Sequence, residues 1–267
     1  MINKLTFEQE QRIKEYYNSY LSRGLSTKPS NKSIAENAVK RMYSLVDKKA
    51  PRVFWVKSPT ALISLFKNRS SLWNSLDNSL DNSIRKFLRD SLWNSLDNSL
   101  WNSLDNSLWS SLRDSLWNSL DNSLWSSLWN SLWSSLWNSL GSSLIYAQTN
   151  ANWISFYKYC NEVLGIKYGE EELEKLNLWV DMMECSCFFT FEKVVILMEH
   201  PKEIHTDSKG NNHNMDDFAI KWYDDTGIYA IHGEIFDRLD IEQLFKDKKI
   251  TNIEYLESKS GECPTVS

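Results

Sequence analysis

Residues 71 to 146 form nineteen consecutive tetrads in one unbroken phase. Ser holds the first place in eighteen of them, with Phe87 the exception, and Leu holds the second in eighteen, with Ile84 the exception. The third place is Trp nine times, Asp five times and Arg three times, and the fourth is Asn at eleven positions. A repeat this strict takes precedence over any local motif, because its geometry shapes the middle of the chain.

A period of four suits neither regular element. In an α-helix each tetrad advances its Leu by about 400°, a drift of about 40° per repeat, so the Leu positions circle the helix and leave no buried stripe. Ser, Asn and Asp are also indifferent helix-interior residues, and one straight helix over the array would be about 114 Å long. A single strand of 76 residues without a turn exceeds any ordinary strand. A stacked coil suits the period better: each tetrad supplies one short side, Leu points inward, Trp or Asp points outward, and Asn or Ser turns the corner. At about 4.8 Å per coil the array becomes a β-solenoid about 24 to 30 Å long. Short helices separated by turns also cancel the drift, so α-helical repeat packing is the alternative.

The flanks have ordinary globular composition. Residues 1–66 read as helices at 5–20 and 34–45, the latter with capping-box spacing between Ser33 and Glu36. Val53 to Val56 then reads as a short strand, and Thr60 to Phe66 begins another helix. Residues 147–267 begin with helices at Trp153 to Leu164 and Glu170 to Met183. Strands follow at Cys187 to Thr190, Lys193 to Met198, Ala219 to Tyr223 and Ile228 to Ile231, with a short helix at Leu239 to Phe245. Strand, tight turn, strand is a meander signature. The expected fold is therefore α+β. It has N-terminal helices, a central tetrapeptide-repeat solenoid over 67–146, and C-terminal helices with an antiparallel β-meander, all integrated into one globular unit.

Charge and cysteine usage narrow the function classes. The chain carries 30 Lys plus Arg against 35 Asp plus Glu, a net charge of -5, which argues against a general nucleic-acid binder. It contains no run of apolar residues long enough for a membrane span. A charged start without a following apolar stretch argues against a secretion signal. Cys160, Cys185, Cys187 and Cys263 are too scattered for a disulfide scaffold. A cytoplasmic location follows as the expectation. Cys185 and Cys187 are placed on one strand face by their spacing, as buried apolar thiols.

Two sets of residues are candidates for function. Trp125, Trp129, Trp133 and Trp137 occupy four consecutive tetrads with no charge between them. Such a row either packs against flanking regions or serves as an interaction surface. His205, Asp207, His213 and His232 can converge in the meander as weak candidates for acid–base catalysis. His205, His213 and His232 give the alternative of a metal set, but their spacing matches no strong ligand signature. The first expectation is that these groups hold turns, so neither metal nor cofactor is expected.

The C-terminal string is the most specific. It runs Glu199-His200-Pro201, Ile204-His205-x-Asp207, Gly210, His213, Ala219-Ile220-x-Trp222-Tyr223-x-Asp225-x-Gly227-Ile228-Tyr229-Ala230-x-His232-Gly233. It resembles a widespread bacterial domain family of unknown function whose members show ihrD..GrlH and y.DG..lY..HG strings and runs of Ser-hydrophobic-x-Asp/Ser tetrads. Arg23-Gly24-Leu25-Ser26-Thr27 and Val53-x-Trp55-Val56-x-Ser58-Pro59 resemble its front half, and Trp153-x-x-Phe156-Tyr157 its centre. Where the family has Gly-Pro before Ala219, this chain has Asp217-Phe218. The resemblance implies that array and flanks belong to one pattern; it implies no activity. The reading from sequence is a structural or protein-interaction module, with a protein partner or self-association, rather than an enzyme. The rival is a metal-dependent hydrolase or other enzyme built on the His205–His232 region.

Overall fold

The computed structural model describes residues 1–67, 91–124, 145–146 and 148–236. Helix α1 (Phe7–Gly24) starts at a capping box in which Thr6 and Gln9 satisfy each other's backbone N–H. Helix α2 (Lys32–Leu45) starts two residues earlier than the Ser33–Glu36 spacing suggests, because the Asn31 side chain accepts from the Ile34 N–H. It buries Ala35, Ala38, Val39 and Met42. Strand β1 (Arg52–Val56) and helix α3 (Pro59–Lys67) follow.

Where the array is described it is helical, and the β-solenoid expectation is overturned. Helix α4 (Ser91–Trp101) ends in a break at residues 102–105. Helix α5 (Asn106–Leu112) then runs through a π-helical segment (Arg113–Asn118) into α6 (Ser119–Leu124). No coil or solenoid is present among the described residues, so the repeat in sequence does not become a repeat of structure. The drift is removed in two ways. In α4 the helix stops after three Leu residues, and Asp105 caps the next one by accepting from the Leu108 N–H. In the second stretch an unbroken α-helix would turn Leu108 and Leu124 about 160° apart. The π segment closes i→i+5 bonds, turns only about 80° per residue, and takes back about 100° of that drift.

The Ser hydroxyls are accommodated within the helix. Ser99, Ser103, Ser115 and Ser123 each donate a hydroxyl hydrogen bond to the carbonyl four residues back, which removes the turn-forming role given to them by the sequence reading. Ser119 donates instead to Asp114 O, five residues back, following the π phase. The result is that Leu92, Leu96, Leu100, Leu104, Leu112, Leu116, Leu120 and Leu124 are all buried in one core.

Most of the described third places lie against helix α7 (Ala151–Glu162), while Trp101 is exposed. Trp93 meets Trp153 at 5.8 Å, and Trp117 meets Phe156 at 6.2 Å and Tyr157 at 6.1 Å between ring centroids. Asp97 accepts from the Tyr157 hydroxyl, and Asp121 accepts from the Asn152 amide. Helix α8 (Glu170–Met182) closes this aromatic layer through Trp179, 5.6 Å from Trp153.

Two sheets complete the molecule. The first joins β1 to β2 (Ile145–Tyr146), β3 (Cys187–Thr190) and β4 (Val194–Met198) in the order β1-β4-β3-β2. Strand β1 runs parallel to β4, and the other pairs are antiparallel. Period-two alternation gives this sheet two apolar faces. Phe188, Val195 and Leu197 belong to the core of helices, whereas Cys187, Phe189, Ile196 and Met198 face a second core with Leu62 of α3. The second core also takes Ile220, Trp222 and Ile228 from the meander, β5 (Glu203–Ile204), β6 (Ile220–Lys221), β7 (Gly227–Ile231) and β8 (Glu234–Phe236). The meander is antiparallel throughout. The two thiols expected on one face lie on opposite sides: Cys185 sits before β3 in the first core and donates to Met182 O, while Cys187 opens β3 in the second. The helix expected at 239–245 lies outside the described residues.

Candidate functional site at the meander tip

Three of the four polar residues singled out by sequence meet at one end of the meander. Strands β7 and β8 are joined by His232-Gly233, a two-residue loop between the paired residues Ile231 and Glu234. Both loop residues have positive φ, 50° at His232 and 88° at Gly233, the geometry of a type I′ turn. Asn, Asp or Gly ordinarily fills the first of these positions, so a histidine there holds a conformation that ordinary side chains avoid.

The ring of His232 is held by the neighbouring loop. Its Nδ1 donates to Asp207 Oδ2 at 2.8 Å. Asp207 also accepts from the Lys209 and Asn211 N–H groups and from the Asn211 side-chain amide. The His232 hydrogen bond, reinforced by these donors, holds the Asp207 carboxyl well below the usual carboxylate range. His213 stacks on His232 with ring centroids 4.2 Å apart and 25° between planes. Its Nδ1 accepts from the His232 backbone N–H at 3.2 Å.

His205 stands apart: it pairs with Glu203 at 3.3 Å and is half exposed. Among the described residues no group of three His, Cys, Asp or Glu side chains is arranged to hold a metal ion. The reason is visible in the stack. Nδ1 of each stacked ring is already engaged, in His213 by the His232 backbone N–H and in His232 by Asp207, while His205 pairs with Glu203. The four Trp residues at 125, 129, 133 and 137 lie outside the described residues.

Sequence reading missed a second convergence, at the loop between α1 and α2. Three consecutive carbonyls there face three distant parts of the chain. Ser26 O accepts from the Gln148 amide at 3.0 Å, Thr27 O from the Tyr223 hydroxyl at 3.2 Å, and Lys28 O faces His200 Nδ1 at 3.1 Å. The buried His200 ring lies between two carbonyls, with Nε2 2.9 Å from Met183 O, and a neutral imidazole donates to one of them according to its tautomer. Its backbone N–H donates to Ser30 Oγ. The only forewarning was that Arg23 to Thr27 and Glu199-His200-Pro201 both belong to the quoted strings. Gly24 is required by proximity: a Cβ there would lie 2.6 Å from the Leu124 side chain. A cleft of about 500 Å3 borders this loop, lined by Arg23, Lys28, Met183, Glu184 and His200 among others.

The described cysteines are all buried. Burial raises the thiols of Cys160, Cys185 and Cys187 far above the ordinary range, which removes their nucleophilic form. No helix among the described residues is long and apolar enough to cross a membrane. No family model, curated protein or solved structure matches this chain.

Proposed function

We propose that this chain is a protein-interaction module that docks a short apolar segment of a partner protein beside its N-terminus. The observation that carries this reading is a set of three side chains. Met1, Phe7 and Trp101 are the most exposed large apolar residues among those described, at 85%, 74% and 61%. Ile2, next to Met1, pairs with the break that follows Trp101, through Ile2 N–H to Ser103 O and Asp105 N–H to Ile2 O, and Phe7 opens α1 five residues later. The other described Trp residues of the array are partly covered, so exposure is not imposed on Trp101 by the repeat.

Together the three expose on the order of 450 Å2 of apolar surface, the scale on which surface patches become functional. A stable dimer needs about 800 Å2 from each partner, so the patch suits a short segment better than a second copy. A photo-crosslinking side chain in place of Trp101, used in the source cells, tests the proposal. One defined partner that crosslinks at this position and is lost on Phe7→Ser supports it. A crosslink to the chain itself replaces the partner with self-association. Equal crosslinking from a control position at Phe54, or none from Trp101, overturns it.

A further inference from the structure

We infer that the stacked pair His213 and His232 is a binding site for an oxyanion that still carries a proton, of which hydrogen phosphate is the simplest. The inference rests on which ring nitrogens are committed. His213 Nδ1 accepts the His232 backbone N–H, so the proton of the neutral His213 ring sits on Nε2, which is a donor. His232 Nδ1 faces the Asp207 carboxylate, so it carries the proton, and Nε2 of the neutral ring is an acceptor. Neither Nε2 bonds to a described residue, and the rings are 4.2 Å apart. One donor and one acceptor therefore belong to two rings stacked 4.2 Å apart.

Hydrogen phosphate offers the complementary pair, a charged oxygen for the His213 donor and a hydroxyl for the His232 acceptor. Sulfate has the same charge near neutral pH and no hydroxyl. Asp207 lies close enough to repel an anion, but its oxygens already accept from Lys209, Asn211 and His232. Lys209, exposed two residues away on the same loop, gives its backbone N–H to that carboxylate. The second observation is the backbone. His232 keeps an imidazole at φ 50°, where Asn would hold the same turn with less steric cost. The conformation places the ring on His213 and Asp207, which is what the pair requires.

The test follows the imidazole 15N resonances of the full chain at about pH 7.5, titrated with sodium phosphate and, at matched ionic strength, with sodium sulfate. Phosphate is expected to shift His213 and His232 saturably, with about tenfold higher affinity than sulfate, the worth of one hydrogen bond to a charged group. His205 serves as an internal reference and is expected to respond equally to both anions. The His232→Asn variant keeps the left-handed turn, and its buried His200 resonance reports that it remains folded. In that variant the phosphate response of His213 is expected to fall to the sulfate level. Equal responses to the two anions in the native chain, or an unchanged His213 response in His232→Asn, overturn the proposal.

Discussion

The array and the meander are held together on opposite plans. The array places eight fully buried Leu residues along α4, the 102–105 break and the helix that follows, each from the same place of the same tetrad. The meander also buries Ile220, Trp222 and Ile228 in the second core, but it adds single polar contacts to that packing. Ser58 donates to Asp224 at 2.6 Å, Tyr223 donates to Thr27 O, and His232 donates to Asp207. Apolar burial is non-directional, so a degenerate repeat can supply it as long as its phase is corrected. A hydrogen bond needs one atom in one position, so each polar contact needs its own residue.

Breaking a Leu should have the largest effect. Leu100→Asp and Leu116→Asp are each expected to cost more than about 3 kcal/mol, because an apolar contact is lost and a charge is buried. Chemical denaturation would read this, and unchanged midpoints would show that the array does not carry the core. Next comes His200→Ala, which leaves Lys28 O and Met183 O without their imidazole partner. Its expected cost is about 2 kcal/mol, together with new protease sensitivity in residues 25–31. A cost as large as the Leu changes would erase the contrast between the two plans.

A smaller effect sharpens the account of the array. Deleting the exposed Asn118 changes the buried spacing after Leu116 from four residues to three, which an ordinary α-helix keeps in phase. The π segment should then revert to α with less than about 1 kcal/mol change in stability. A large loss on deletion would show that the π segment does more than restore phase.

The smallest effect is expected at Asp207. Its carboxyl is held low in the folded protein, so it contributes stability above the ordinary Asp range and loses that contribution as pH falls through the folded value. Asp207→Asn should therefore be less stable than the native chain near neutral pH, with the difference closing below about pH 4. Denaturation midpoints measured across that window would check the sign. A difference that grows toward low pH would contradict the assignment of His232 as donor.

Much of the architecture was legible in the residues themselves. Apolar spacing located α7 and α8, the turn residues at 224–227 and 232–233 located the meander hairpin, and Val53 to Val56 was readable as a strand. The partner of that strand was not readable, because β1 pairs in parallel with β4 from far along the chain. The candidate site was half legible. His205, Asp207, His213 and His232 stood out by type, but only the folded turns show that three meet and that His205 faces Glu203.

By itself the sequence marked the Leu place of the tetrad as the one to bury, as it is at eight of the nine described tetrads, and the flanks as helices and a meander. Those properties follow from local periodicity and turn chemistry, which a residue carries wherever it is placed. Whether the tetrads coil or form helices was decided only by tertiary structure. A period of four fixes neither regular geometry, since it overshoots the 3.6 residues of a helical turn and spans two alternations of a strand, so its small local preference is overridden by what covers the Leu face. Here α1, α7 and α8 provide that cover, and the break at 102–105 and the π segment at 113–118 bring the Leu residues back to it.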